Sequence, residues 1–194
     1  MKKKRVGVLA LQGDFEAHER ALTEAGAEAV QVRTAEGLAS IDGLVIPGGE
    51  STTMLKLLNY TDLKEPLREF SRIKPVFGTC AGAILLAKDV RNPEQESFNA
   101  VDITVERNAY GRQNDSRVVT LEPDAEFQQR AGAGNLEAVF IRAPIIRRAG
   151  PGVKVLAEYD GNPVLVEQGK HLIATFHPEL TKDSRVHQFF LGKI

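Results

Sequence analysis

The chain has 194 residues, with 25 lysines and arginines against 26 aspartates and glutamates, for a formal charge of −1. A chain of this size buries roughly 70% of the surface its unfolded form would expose, so one domain over residues 1–194 is expected. The near-zero charge balance lacks the basic footprint of a protein that lives on phosphate backbones, so nucleic acid is not expected as a partner.

An apolar share of 42% and a charged share of 26% are ordinary for a folded protein. No stretch approaches the run of about 18 apolar residues that spans a bilayer, so no membrane partner is expected either. The start Met1-Lys2-Lys3-Lys4-Arg5 is basic, but the apolar residues after it soon give way to Gln12, Gly13, Asp14 and Glu16, which forms no secretory core and points to the cytoplasm. A single cysteine, Cys80, makes no internal disulfide and no thiolate metal cluster. Neither a metal nor a cofactor is expected.

In chain order, residues 5–10 read as a buried strand. Residues 15–25 carry Phe15, Ala17, Ala21, Leu22 and Ala25 at helical spacing with Gly26 as the stop, and residues 29–32 read as the next strand. A third strand over 43–46 runs into Pro47-Gly48-Gly49 and a helix over 51–58, with Ser51 as its N-cap. A helix over 64–71 and a strand over 75–78 lead to Thr79-Cys80-Ala81-Gly82 and an apolar helix over 83–87. This alternation predicts βαβ units around a mostly parallel sheet.

After Asn92 the pattern changes to strands over 101–107, 117–121, 136–141, 153–159, 163–168 and 171–174 with little helix between, which predicts a more antiparallel second half. A short amphipathic helix from Asp183-Ser184 to about Leu191 closes the chain, and no repeat, low-complexity tract or linker marks a second domain.

Gly78-Thr79-Cys80-Ala81-Gly82 follows a predicted strand and opens a predicted helix, the setting of a nucleophile elbow. Small flanking residues permit the strained turn that lifts a nucleophile clear of the sheet. A helix N-terminus favours the thiolate, and the Ala81 N–H stands ready for an oxyanion. A thiolate needs a base, and the base needs an orienting acceptor.

Of four histidines, His18, His171 and His187 sit within a helix, at a strand start and in the terminal helix, where an exposed or half-buried surface position is expected. His177 ends the apolar run Leu172-Ile173-Ala174-Thr175-Phe176, at the sheet edge where ligands gather, with Glu179 beyond a rigid Pro178. Cys80, His177 and Glu179 thus form a candidate triad. The turn Pro47-Gly48-Gly49-Glu50-Ser51 lets backbone N–H groups approach a ligand, and it carries no nucleotide-phosphate signature. Arg107 and Arg142, at strand ends, are suited to hold a substrate carboxylate.

With these residues the chain resembles the class I, triad-type glutamine amidotransferases, and more narrowly the glutaminase subunits of the glutamine-dependent pyridoxal 5′-phosphate synthases. The resemblance rests on Gly7-Val8-Leu9-Ala10-Leu11-Gln12-Gly13, Pro47-Gly48-Gly49-Glu50-Ser51-Thr52-Thr53-Met54, Phe77-Gly78-Thr79-Cys80-Ala81-Gly82, Val105-Glu106-Arg107-Asn108 with Tyr110-Gly111-Arg112-Gln113, Ile141-Arg142-Ala143-Pro144 and Phe176-His177-Pro178-Glu179-Leu180.

It implies a three-layer, flavodoxin-like α/β fold with a central mixed, mostly parallel sheet flanked by helices. It also implies hydrolysis of L-glutamine to glutamate and ammonia, with the ammonia passed to a synthase subunit in a hetero-oligomer that makes pyridoxal 5′-phosphate (vitamin B6). Residue by residue, it makes Cys80 the nucleophile, with His177 and Glu179 completing the triad. Gly49 and Ala81 would supply the oxyanion hole, and Gly49, Glu50, Ser51, Arg107, Ile141 and Arg142 the glutamine site. Two other readings remain open at this point. One is a free-standing cysteine amidohydrolase acting on γ-glutamyl or other small amides, and the other is a non-catalytic regulatory subunit.

Overall fold

The run Arg5–Leu9 (β1) is buried at every position after the first, as a strand covered on both faces must be, and it lies inside a seven-stranded sheet. The computed structural model describes residues 3–109 and 116–194. After β1 come α1 (Phe15–Glu24), β2 (Glu28–Val32), α2 (Ala35–Ala39), β3 (Gly43–Ile46), α3 (Ser51–Tyr60), α4 (Lys64–Ile73), β4 (Val76–Thr79) and α5 (Ala81–Leu86). The second half contributes β5 (Ala87–Arg91), β6 (Val101–Glu106), β7 (Ser116–Leu121), α6 (Ala125–Ala131), β8 (Leu136–Ile141), β9 (Ile145–Ala149), β10 (Lys154–Tyr159), β11 (Asn162–Gln168) and β12 (His171–Ala174). A 3₁₀ turn at Pro178–Leu180 and α7 (Arg185–Leu191) follow.

The large sheet runs β10-β11-β12-β4-β3-β1-β2. The strands from β2 through β12 pair in parallel, and β11 and β10 add an antiparallel edge. The sheet is therefore mixed and mostly parallel, as expected. Alternate residues of its strands feed two cores. Leu44, Ile46, Val76 and Ile173 pack on one face with Met54 and Leu58 of α3, Leu67 of α4, Leu85 of α5 and Ile103 of β6. Val45, Phe77, Leu172 and Ala174 pack on the other with Leu22 of α1, Phe127 of α6, Phe140 of β8 and Phe189 of α7.

Four elements lie outside the sequence expectation. The helices α2 and α6 span only five and seven residues, shorter than the window over which a helical period shows, although each has a side-chain N-cap. Thr34 accepts from Gly37 N at 3.3 Å, and Asp124 from Phe127 N at 2.8 Å. The apolar helix expected over 83–87 begins at Ala81 and stops at Leu86, and Ala87 starts β5, which pairs with β6. The fourth, β9, has a short apolar start followed by Arg147 and Arg148, too brief a run to read as a strand, and it pairs antiparallel with β6.

Candidate active site

The strands β3, β4 and β12 are neighbours at the centre of the sheet and run in parallel, with Ile46 opposite Gly78 and Thr79 opposite Ala174. Their carboxyl ends therefore reach one edge together, where open α/β sheets gather ligands. The Gly48-Gly49 turn follows β3, Cys80 follows β4, and His177 lies three residues past β12.

Cys80 adopts φ 47° and ψ −101°, a conformation that a residue with a Cβ rarely takes. The neighbouring backbone enforces it. Cys80 N donates to Ala174 O at 2.9 Å. A Cβ on Gly82 would stand 2.2 Å from Ile46 O, and one on Gly78 would stand 2.6 Å from Gly82 O, so both flanks of the elbow have room only for glycine. The thiol Sγ lies 4.0 Å from Ile141 O.

His177 is anchored by its backbone, whose N–H donates to Val139 O of β8 at 2.8 Å. Its Nδ1 meets Glu179 Oε1 at 2.7 Å, and both side chains are buried. Gly48 packs against this pair so closely that a Cβ there would stand 2.4 Å from His177 Cε1 and 3.4 Å from Cys80 Cβ. Burial works against a charge on His177, but the Cys80 side chain and the Glu179 carboxylate outweigh it through hydrogen bonding and charge, and the pKa is held up to about 10. Near neutral pH the imidazole of His177 is therefore charged, standing between the Cys80 side chain and Glu179.

A pocket of about 290 Å³ opens over Cys80 and His177. Gly49, Glu50, Ser51, Arg107, Ile141 and Arg142 all line it. Ala81 and Glu179 do not line it, since Ala81 opens α5 beside the thiol and Glu179 stands behind the imidazole. Arg142 and Asn108 carry positive φ values of 44° and 52°, further local strain gathered at the same site.

One expectation about the turn is corrected. Ser51 is not the N-cap of α3; Glu50 is, accepting from Thr52 N at 3.2 Å and from Thr53 N at 2.6 Å. The longer glutamate side chain reaches back over the first turn, and Ser51 donates its hydroxyl to Gln95 Oε1 at 2.9 Å. Arg107 donates to Thr52 Oγ1 at 3.0 Å and lies 3.6 Å from Glu50 Oε1, so the cap also fixes the guanidinium. The segment Tyr110-Gly111-Arg112-Gln113 lies outside the described residues.

Gln12, Asp14, Ile84, Asn108 and Pro144 also line the pocket without having been assigned a role from sequence. Gln12 Oε1 accepts from Glu50 N at 2.9 Å, and a Cβ on Gly49 would stand 2.4 Å from the same oxygen. Strand-end position was the available signal for Gln12. Among the described residues, Asp14, His177 and Glu179 are the one cluster with ligand atoms close enough for a metal, all within 4.8 Å. His177 Nδ1 and Glu179 Oε1 are already engaged with each other there.

The other three histidines are not surface residues. His171 is buried with its Nδ1 accepting from Val76 N at 3.3 Å, and burial lowers its pKa to about 4, which fits a neutral strand-pinning role. His18 and His187 are wholly buried and meet behind the triad, where Nδ1 of the first lies 3.0 Å from Nε2 of the second.

A thiol, an imidazole and a carboxylate in series at the carboxyl edge of a mostly parallel, helix-flanked sheet define the class of the triad-type glutamine amidotransferases. The chain belongs to the SNO glutamine amidotransferase family, whose model matches residues 8–194. It is similar to the pyridoxal 5′-phosphate synthase subunit PdxT of Solibacter usitatus, 65% identical over 191 residues, which is 98% of this chain and 100% of that one. The same-named protein of Koribacter versatilis is 58% identical over 190 residues, 98% of this chain and 95% of its own. A crystal structure of a glutamine amidotransferase superposes with a TM-score of 0.87 at 48% identity, covering 97% of each chain. Among the described residues no helix is long and apolar enough to cross a membrane.

Proposed function

We propose that this chain is the glutaminase subunit of a pyridoxal 5′-phosphate synthase, hydrolysing L-glutamine to glutamate and ammonia and delivering the ammonia to a synthase subunit. The observation that carries the reading is the series from Glu179 Oε1 through His177, 2.7 Å apart, to Cys80 at the strained elbow. The relatives over nearly the whole chain are named as subunits of that synthase, which supports the partner.

In this reading the Cys80 thiolate attacks the side-chain amide carbon of glutamine, and the oxyanion that forms is held by the N–H groups of Gly49 and Ala81. His177, charged at neutral pH, gives its proton to the departing ammonia. It then takes a proton from the water that cleaves the thioester, releasing glutamate and restoring the thiolate. Glu179 fixes the imidazole orientation, and Arg107 and Arg142 face the substrate carboxylate. The proposed working unit is one domain over residues 1–194, in the cytoplasm.

Glutamate release tests the reading, measured for the chain alone, with a pyridoxal 5′-phosphate synthase subunit, and with Cys80→Ala in place of wild type. Release that rises sharply with the partner and vanishes in the variant is expected. Strong release without the partner would favour a free-standing amidohydrolase. Silence in every mixture would favour a regulatory subunit.

A further inference from the structure

The series of polar side chains continues beyond Glu179. Its Oε1 is taken by His177, whereas Oε2 is buried without a well-formed hydrogen bond. Nε2 of His18, from α1, stands 3.3 Å from that oxygen. The same nitrogen lies 2.9 Å from Thr79 Oγ1 at the end of β4, and His18 Nδ1 lies 3.0 Å from His187 Nε2 in α7. His187 Nδ1 is buried with no hydrogen-bond partner.

These contacts favour one proton order. A carboxylate oxygen only accepts, so a bare Nε2 on His18 would aim its lone pair at Oε2 inside the protein, whereas a protonated Nε2 donates to it. A neutral ring protonated at Nε2 is bare at Nδ1 and accepts from His187 Nε2–H. His187 is then bare at Nδ1, where no partner stands. Thr79 Oγ1 can pair with Nε2 in either order, but the reverse order would bury an N–H on His187 Nδ1 with nothing to receive it and turn a lone pair rather than a proton of Nε2 toward Oε2. Both rings are neutral near pH 7: burial lowers His187 to about 4, and burial, with His187 and His177 nearby, lowers His18 well below its ordinary value.

We propose that His18 is a positioning residue for the triad, its Nε2–H held toward Glu179 Oε2 by His187 so that Glu179 Oε1 faces His177. A carboxylate tied at one oxygen can still turn about its terminal torsion, which has only a broad preference; a donor on the second oxygen fixes the plane. The inference rests on the glutaminase reading for the roles of Cys80, His177 and Glu179.

The kinetic test uses the full chain mixed with a pyridoxal 5′-phosphate synthase subunit. It compares His18→Leu, which lacks the donor, with His18→Gln, whose amide can donate from nearly the same place. In His18→Leu, kcat for glutamate release should fall about tenfold to a hundredfold while KM for glutamine stays within about twofold, and His18→Gln should recover most of kcat. An unchanged kcat in His18→Leu, or equal loss in both variants, overturns the proposal.

A second measurement does not depend on either variant folding. Nitrogen NMR of the wild-type imidazoles at neutral pH should show both His18 and His187 protonated at Nε2 and bare at Nδ1. A His18 ring protonated at Nδ1, or charged, overturns the proposal. Failure of the glutaminase reading looks different, because wild type with its partner would then release no more glutamate than Cys80→Ala, and the tautomers would still decide the proton order.

Discussion

Backbone strain at Cys80, of order 1–3 kcal/mol for a residue held so far from its preferred region, persists because Ala174 O and the tight glycine contacts on either side fix the elbow. Cys80→Ala keeps the Cβ and so the strain, and removes only Sγ. Its expected outcome is no detectable glutamate release with a melting temperature within about 2 °C of wild type, read by calorimetry. Retained release would remove the thiol from the chemistry.

His177 supports a separate prediction. The groups facing it are Cys80, Glu179, Asp14 and the neutral His18. Its folded pKa of about 10 lies above the ordinary 6.5, so the stabilisation linked to its charge is fully present below pH 6.5 and is lost as pH rises to about 10. The stability difference between wild type and His177→Gln should therefore shrink across that window, and the alkaline limb of kcat/KM should fall near pH 10. A limb near 6.5, or a difference that grows with pH, would contradict the charged pair.

In the proposed glutaminase, the start of α3 couples stability to substrate binding, because the Glu50 carboxylate that satisfies Thr52 N and Thr53 N also lies 3.6 Å from Arg107. Glu50→Ala should cost about 1 kcal/mol, a fall of about 2–4 °C in melting temperature, and should raise KM for glutamine more than it lowers kcat. A KM unchanged alongside the stability loss would make Glu50 a cap alone. The cap was hidden in the sequence because residue preference favours serine there, and nothing in Glu50-Ser51 says that the longer side chain folds back.

The site's main frame was legible for the opposite reason. The strands β3, β4 and β12 are short, wholly buried runs that lead to glycines or His-Pro-Glu, so strand, turn and chemistry stand close to each other in the chain. His18 and His187 were misjudged because each sits in a short amphipathic helix that reads as a surface element. The usable signal was position: His18 shares a helical face with Ala21 and Leu22, and His187 with Phe190, all buried.

At the scale of the whole molecule, the two faces of the sheet divide the labour. One face packs helices α2 to α5 under the Gly48-Gly49 turn, and the other packs α1, α6, α7 and β8 behind the triad. Within the second core, two phenylalanines of similar burial differ in what they support. Phe127 stacks on Phe189 at 5.0 Å, tying α6 to α7. Phe140 lies 5.7 Å from Phe176 and 5.4 Å from Tyr159, in the strand whose Val139 O holds the His177 backbone and whose Ile141 O faces Cys80 Sγ.

Phe127→Leu and Phe140→Leu should each lose roughly 1–2 kcal/mol of stability, since each removes similar packed volume from a dense interior. Only Phe140→Leu should also slow glutamate release, by about tenfold in kcat, because a small shift of β8 moves imidazole and thiol relative to each other. Measured with the synthase subunit well below both melting temperatures, Phe127→Leu should keep kcat within about twofold of wild type. Equal losses of activity in the two variants would mean that catalysis follows the stability of the whole core. A loss confined to Phe140→Leu would make β8 the strut through which that core sets the geometry of the triad.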